Sequence, residues 1–191
     1  MSELSGRKAV SHGRIVEVAA RAVRRGGYQG VNVTEVMREA GLTHGGFYAH
    51  FASRDALLAE AVEKAGADLN EVLRGQIARR KAGVSALRAL IDTYLAADHA
   101  RDCDNGCPLS LLASDVFRQA PEVAEPSRGL AGNLRRLVKE VLPEQAEPGA
   151  AWAIVSSLLG AVQIARALGD TRAARAVLAD TKSNLLARYD T

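Results

Sequence analysis

Apolar positions recur at intervals of three and four residues through most of the chain, which is the spacing that one face of an α-helix produces. The first such stripe starts at Ile15, behind a capping Ser11, and ends at the Gly26-Gly27 pair. A second, short stripe follows a capping Asn32 and stops at Gly41. The chain shows no internal repeat and no pattern typical of a β-hairpin. The periodicity therefore predicts an all-α protein.

A third helix is predicted after Thr43, and six more are predicted from stripes bounded by caps, glycines or prolines. These six run from Ser53 to about Lys81, over 84–100, from Pro108 to about Ala120, over about 130–141, over 150–168, and from Asp170 or Thr171 to about Arg188. Proline removes a backbone donor, so Pro121 and Pro126 predict a break between helices. We therefore expect about nine helices.

The composition agrees with a helical protein, and the apolar segments bear on where the protein resides in the cell. Apolar residues make up 48% of the chain and aromatic residues only 4%, a balance that favours helices over a β-sandwich. No apolar run approaches the length of a membrane span, and the N-terminus lacks the apolar stretch of a signal peptide. We expect a cytoplasmic protein without a membrane segment, in which Cys103 and Cys107 are reduced at rest.

The positive charge is concentrated near the N-terminus. Residues 1–54 hold eight basic and four acidic residues, whereas the remainder holds 17 basic and 18 acidic residues. A surface that binds nucleic-acid phosphates needs such a local excess. A solvated helix face would also account for it.

The segment from Asn32 to Arg54 has the spacing of a helix-turn-helix, in which the N-terminal residues of the second helix meet base edges. Gly45 and Gly46 weaken the helix that holds them, which suggests a steric reason for them, namely a close approach of the backbone and DNA. An ordinary corner between two helices would account for Phe47 and Phe51 as core residues. It would not account for the glycines and the polar residues together.

Residues 28–58, YQGVNVTEVMREAGLTHGGFYAHFASRDALL, resemble the DNA-binding signature of TetR-type regulators. The similar features are the T-x-V of the second helix, A-G-L-T, a glycine, Y-x-H-F, and a basic residue before a leucine pair. The likeness covers about residues 11–60, and beyond them only the helical layout and the length agree. The resemblance implies a helix-turn-helix DNA-binding domain over 1–53 and a larger helical ligand-sensing and dimerisation domain over 54–191.

The resemblance also implies a homodimer on a double-stranded, pseudo-palindromic operator, and a repressor that an unidentified small-molecule inducer releases. It implies no cofactor. By position, the residues assigned to DNA are Asn32, Thr34, Arg38, Thr43, His44, Gly45, Tyr48, His50 and Arg54. Thr43, His44, Gly45 and Tyr48 would face the groove or its edge. Tyr48, His50 and Arg54 would hold phosphates, Asn32 and Thr34 would meet the DNA backbone, and His44 and Arg38 would carry base specificity.

The helical domain over 54–191 is expected to bind a ligand and to form the dimer. The last two helices carry the small or apolar residues of a predicted dimer interface, with an internal core as the alternative: Ser156, Ser157, Gly160, Ala161, Ile164, Ala174, Val177, Leu178 and Leu185. A ligand cavity would be lined by apolar residues that could also be plain core: Leu69, Leu73, Leu90, Tyr94, Leu112, Phe117, Leu134 and Trp152.

Cys103 and Cys107 offer an alternative trigger. Cys107 stands where a helix cap belongs, and a helix N-terminus favours a thiolate, whereas Asp102 and Asp104 oppose that effect. Oxidation or electrophile modification of Cys107, with Cys103 resolving it as a disulfide, would then control DNA binding. A small buried cysteine is the plain alternative. A zinc site is less well supported, since His99 adds only a third ligand.

The sequence offers no catalytic motif. It holds no P-loop, no dinucleotide-binding fingerprint after a strand and no H-E-x-x-H. We therefore expect no enzyme. A helical interaction module that does not bind DNA is the remaining alternative.

Overall fold

A computed structural model describes residues 2–190 of the chain, and within them every regular element is a helix. The α-helices are α1 (Ser2–Gly26), α2 (Val33–Glu39), α3 (Arg54–Ala78), α4 (Ala86–Tyr94), α5 (Ala97–Arg101), α6 (Leu109–Leu112), α7 (Pro121–Val141), α8 (Ala150–Leu168) and α9 (Arg172–Tyr189). Short 3₁₀ helices span Gly27–Gly30, His44–Ala49 and Val116–Arg118. The predicted all-α fold is confirmed.

The chain forms two compact units. The first comprises the residues up to Ala67 together with Cys103–Arg128, and the second comprises Asp68–Asp102 together with the residues from Gly129 onwards. Both α3 and α7 contribute residues to each unit. The boundary expected after residue 53 separates a DNA-binding from a ligand-sensing domain. The division into compact units does not test this boundary, which stays a prediction.

The first unit has a core that the helical periodicity predicts. The buried side of α1 faces α2, and the side chains of the core come from α1, α2, the 44–51 segment and the start of α3. The largest of them are Ile15, Val18, Val23, Val36, Met37, Phe47, Phe51, Leu57 and Leu58. Burying such side chains is the main favourable term in folding. This core holds the short helices 33–39 and 44–49 in place.

Two predicted helix boundaries differ from the structure near the start and middle of the chain. Helix α1 begins at Ser2, so Ser11 lies inside the helix and caps nothing. The single helix predicted over 84–100 is divided into α4 and α5, because Ala96 takes an extended backbone with ψ of 137°. Alanine gives no breaker signal, so this division could not be predicted.

The region around the prolines differs as well. Helix α6 has four residues, not the stretch to Ala120 predicted from Pro108, and a 3₁₀ turn follows it. The break predicted between Pro121 and Pro126 is absent, and α7 runs through both. Pro121 suits a first helical position, and Pro126 lies only five residues further on, where it removes one backbone hydrogen bond.

In the second unit, α8 and α9 pack against each other. Thr171 caps α9 by accepting a hydrogen bond from the backbone N of Ala174 at 3.1 Å. Helix α8 is long and apolar enough to cross a membrane by length and mean hydropathy, which is 1.5. This is weak support for a membrane span, because the core helices of soluble proteins pass the same test. Eight of the 19 residues of α8 are buried within the subunit, and the others are at least partly exposed.

Candidate nucleic-acid interface

The first helix of the helix-turn-helix is held at both ends by local hydrogen bonds. The Asn32 side chain accepts from the backbone N of Thr34 at 2.9 Å and of Glu35 at 3.2 Å, as a helix cap does. At the other end, Gly41 has a φ of 73°, and the backbone N of Leu42 donates to Met37 O at 2.9 Å. The turn predicted between the two helices is therefore present, with glycine at its one left-handed position.

The second helix of the motif, His44–Ala49, is a 3₁₀ helix rather than an α-helix. Thr43 precedes it with extended backbone, and although threonine is a suitable helix cap, its side chain makes no capping hydrogen bond here. Two adjacent glycines weaken an α-helix, which suits the tighter and shorter form. Phe47 and Phe51 are buried as predicted, and their rings stack with centroids 5.6 Å apart.

The opposite side of this helix carries most of the predicted groove-facing residues. Thr43, His44, Gly45 and Tyr48 are all exposed, and the Tyr48 side chain is 73% exposed although its ring is largely apolar. A Cβ added at Gly45 would meet no atom within 4 Å, and its φ is not positive. Neither packing nor backbone geometry within the chain therefore requires glycine at this position.

Helix α2 adds polar side chains beside this surface. Thr34 and Arg38 are exposed one helical turn apart. The Thr34 Oγ1 lies 3.2 Å from Nδ1 of His44, so the structure brings these two predicted DNA contacts together. Asn32 is also exposed, but its side-chain oxygen is engaged in capping α2.

Arg54 holds the protein's own backbone. Its guanidinium donates from Nε to Val31 O at 3.0 Å and from Nη2 to Tyr28 O. These bonds join the start of α3 to the segment between α1 and α2. The sequence signature suggested only a phosphate contact, because partners 23 and 26 residues away leave no local pattern.

His50 is half-buried beside the rings of His12 and Phe51. The His12 ring stacks on Phe51 at 4.5 Å and lies 5.9 Å from the His50 ring, while His12 Nε2 is 2.7 Å from Glu60 Oε2. Burial lowers the pKa of His50, and the positive charges of His12, when protonated, and Lys8 lower it further. The uncharged form of His50 is therefore favoured, which weakens it as a phosphate ligand in comparison with an exposed histidine.

The loop with both cysteines is tied to the end of α1. Arg25 Nη2 donates to Asp104 Oδ2 at 2.9 Å, and this contact lowers the pKa of Asp104 and raises that of Arg25. Cys103 is exposed and Cys107 is 2% exposed, and neither is in a disulfide. The helix that follows Cys107 has four residues, so the predicted thiolate at a helix N-terminus has little support. No cluster of metal ligands is found among the described residues.

The predicted cavity residues divide into two groups. Most are buried side chains, as either cavity or plain core would have them: Leu69, Leu73, Leu90, Tyr94, Leu112 and Leu134. Phe117 and Trp152 are 71% and 46% exposed, so they do not line an enclosed cavity. Trp152 instead borders an open groove of about 560 Å³, where the Arg135 guanidinium lies 5.1 Å from the centre of its ring.

One polar group in the second unit, His99, was considered above as a third zinc ligand. His99 lies with its ring 5.0 Å from that of Tyr94, and its Nε2 is shielded from solvent with no hydrogen-bond partner among the described residues. Burial, aided by the charge of Arg166 and opposed by that of Asp102, lowers the pKa of His99 to about 4. His99 is therefore neutral at physiological pH.

The sequence matches known regulators over its first third. Residues 15–61 match the family model described as bacterial regulatory proteins, tetR family. An uncharacterized HTH-type transcriptional regulator from Haemophilus influenzae is 36% identical over 67 residues, which cover 35% of this chain and 33% of that protein. The chain thus matches about a third of the length of this curated relative.

Solved structures are similar over nearly the whole chain. A TetR transcriptional regulator from Chloroflexus aurantiacus J-10-FL superposes with a TM-score of 0.78 at 23% identity, covering 95% of this chain and 94% of that one. The reduced form of Escherichia coli NemR gives a TM-score of 0.77 at 15% identity, covering 94% and 96%. At sequence identities of 23% and 15%, these similarities show a shared fold.

Proposed function

The chain belongs to the TetR family of bacterial regulatory proteins, and on that premise we propose that it is a sequence-specific DNA-binding transcriptional regulator. The observation that carries the proposal is the exposed face of the 44–49 helix. Thr43, His44 and Tyr48 project from a helix that Phe47 and Phe51 anchor in the core, beside a glycine that nothing in the chain requires. In a helix-turn-helix this face enters the major groove.

Charge supports DNA as the partner. Residues 1–54 carry the net positive charge of the chain, and Arg7, Lys8, Arg14 and Arg38 are exposed basic residues of α1 and α2. Phosphate contacts of this kind supply most of the affinity for DNA and make it dependent on salt. Arg54 is not included among them, because its guanidinium is engaged with backbone carbonyls. The proposal assigns no catalytic role to the chain.

A homodimer accounts for the outer face of α8. Ser156, Gly160 and Ile164 are at least partly exposed on this face, and the Ile164 side chain is 51% exposed. Ala161 and the α9 residues Ala174, Leu178 and Leu185 are instead buried inside the subunit, so they are not the predicted contact surface. Pairing of the outer α8 face across a two-fold axis would match a two-fold operator. It would also cover the apolar side chains that give α8 its high hydropathy, in a protein that we place in the cytoplasm.

The regulator is proposed to be a repressor that a small molecule releases. The body supplies a hydrophobic setting for an inducer in Leu73, Leu90 and Leu134, and His99 Nε2 is a shielded polar group that a ligand could satisfy. Helix α3 starts directly after the helix-turn-helix and continues into the second unit. A shift of this one helix on ligand binding would change the positions of the two DNA-reading helices of the dimer.

Thiol chemistry is the second candidate trigger. The loop that carries Cys103 and Cys107 also carries Asp104, and Asp104 is paired with Arg25 in the last turn of α1. Oxidation of the two thiols by hydrogen peroxide would form one S–S bond and release two water molecules. Cys107 is buried and Cys103 is exposed, so the proposal includes a rearrangement of the loop as the bond closes. Such a rearrangement would disturb the Arg25–Asp104 pair.

A mobility shift tests the DNA-binding proposal. Reduced full-length protein is titrated onto about 200 bp from upstream of its own gene and onto an unrelated duplex of equal length, at about 150 mM salt. We expect selective retention of the upstream DNA that weakens steeply as salt rises. Absence of binding to both duplexes, and to every duplex of a random library, would reject the proposal.

A further inference from the structure

Thr34 lies against His44 across the turn of the helix-turn-helix. Its Oγ1 is 3.2 Å from Nδ1 of the imidazole, although the two residues belong to different helices. The Asn32 side chain accepts from the backbone N of Thr34, which fixes the start of α2. The χ1 of a threonine takes few values in a helix. The hydroxyl is therefore presented to His44 by a well-defined part of the backbone.

His44 has little else to hold its ring. It is exposed, and the next residue is Gly45, around which there is open space. Among the residues that the structure describes, the contact with Thr34 is the hydrogen bond found for the imidazole. An exposed side chain without such a contact samples several rotamers, and ordering it on binding lowers affinity. The contact with the Thr34 hydroxyl thus restricts the rotamers of His44 before DNA binds, so less conformational entropy is lost on binding.

We propose that Thr34 is a positioning residue that sets the orientation and the tautomer of His44 for reading one base in the major groove. The inference rests on the proposed DNA-binding function. With the Thr34 hydroxyl donating to Nδ1, the neutral imidazole carries its proton on Nε2. The tip of His44 is then a donor, and it matches the acceptors N7 and O6 of guanine or N7 of adenine.

This role differs from the phosphate contact that the sequence signature suggested for Thr34. A phosphate contact adds affinity for every sequence alike and contributes to the salt dependence. A positioning contact acts through His44, so it changes the preference at a single base position in each half-site. The two roles therefore separate in a measurement that reports base preference and affinity independently.

The test is random-site selection by the full-length protein in five forms: wild type, Thr34→Val, Thr34→Ser, His44→Ala and the double variant with Thr34→Val and His44→Ala. Valine keeps the shape of threonine without its hydroxyl, and serine keeps the hydroxyl. We expect Thr34→Val to weaken a purine preference at one position per half-site by about fivefold, as loss of one hydrogen bond implies. His44→Ala should weaken the same position, Thr34→Ser should retain it, and the double variant should lose no more than His44→Ala. The unfolding midpoint of each variant in urea serves as the folding control.

A second readout needs no DNA. The ¹⁵N shifts of the His44 imidazole, measured at neutral pH, should show the Nε2–H tautomer in the wild type and a mixture in Thr34→Val. A dominant Nδ1–H tautomer in the wild type would overturn the inference. A Thr34→Val protein that keeps every base preference but binds all sequences more weakly, with a smaller salt dependence, would overturn it too. A wild type that selects no sequence would instead reject the proposed function, and the ¹⁵N shifts would still test the Thr34–His44 contact.

Discussion

Arg54, the first residue of α3, donates a hydrogen bond from Nε to the carbonyl oxygen of Val31 at 3.0 Å. A second bond reaches Tyr28 O, so one guanidinium holds two carbonyls of the segment between α1 and α2. The planar fork of the guanidinium presents Nε and Nη2 to the two acceptors in a fixed geometry. Arg54 is therefore a structural link within the first compact unit.

Replacing Arg54 with lysine should destabilise the protein. The ammonium has three donors but lacks the fixed fork of the guanidinium, so we expect it to lose or lengthen one of the two carbonyl contacts, and a hydrogen bond from a charged donor contributes about 1.5–3 kcal/mol. We expect the free energy of unfolding in urea to fall by about 1–2 kcal/mol. Arg38→Lys is the matched control, since Arg38 is exposed on α2, and it should leave stability unchanged. Equal stability of the two variants would show that the Arg54 contacts are unimportant.

Gly45→Ala should separate stability from DNA binding. The new methyl group meets no atom of the chain within 4 Å, and alanine is favoured over glycine in helices by about 0.5–1 kcal/mol. The variant should therefore be at least as stable as the wild type, while its affinity for the operator falls because the methyl group faces the DNA. Gly132→Ala in α7, also in open space, is the control and should bind normally. If Gly45→Ala binds the operator as tightly as the wild type, DNA does not approach Gly45 and the prediction is wrong.

Ile164→Glu should convert the dimer into a monomer. The side chain is exposed on the outer face of α8 in the single subunit, and pairing would bury an unpartnered carboxylate there. We expect the dimer dissociation constant to rise at least about 100-fold, measured by light scattering over a dilution series. Val72→Glu on α3 replaces a side chain of similar exposure and should leave the dimer intact. A dimeric Ile164→Glu protein would exclude this face as the interface.

His99 should make stability depend on pH. Its pKa in the folded protein is about 4, below the value of 6.5 for an exposed histidine. Between these values the unfolded chain binds a proton that the folded chain does not, so stability falls as the pH drops below 6.5 and levels off below about 4. Relative to His99→Gln, the wild type should lose about 2 kcal/mol between pH 7.5 and 5. Parallel pH profiles of the two proteins in urea unfolding would show that His99 titrates normally.

The thiol trigger makes its own prediction. Mild peroxide should join Cys103 to Cys107, detected by mass spectrometry as the loss of two hydrogens, and operator affinity should fall and recover on reduction. Cys103→Ser should abolish both the disulfide and the reversible loss of affinity. If both thiols stay unmodified while DNA binding is normal, the small-molecule trigger remains as the only one proposed.

The sequence was sufficient where structure follows from local pattern. The ends of α2 and α8 and the burial of Phe47 and Phe51 follow from caps, glycines and apolar periodicity. The turn at Ala96 could not be predicted, because an alanine carries no signal for extended backbone. The continuity of α7 through Pro126 was also missed, because a proline in the early turns of a helix removes only one backbone bond.

The candidate site was predictable in its members and only partly in their roles. The exposed face with Thr43, His44 and Tyr48 was expected from the signature. The Arg54 bonds, the Thr34–His44 contact and the Arg25–Asp104 pair join residues 10 to 79 positions apart. Contacts at such separations depend on tertiary packing, which periodicity in one sequence does not report.

The central claim is that the exposed face of the 44–49 helix reads DNA as part of a dimer. Fluorescence anisotropy at about 150 mM salt measures it most directly, with a duplex that carries the selected site and a scrambled duplex of equal length and composition. We predict two protomers on the selected duplex and an affinity at least about 1,000-fold higher than for the scrambled one, lost in a Gly45→Ala, Tyr48→Ala double variant. Equal affinity for the two duplexes, or full selectivity in the double variant, would contradict it.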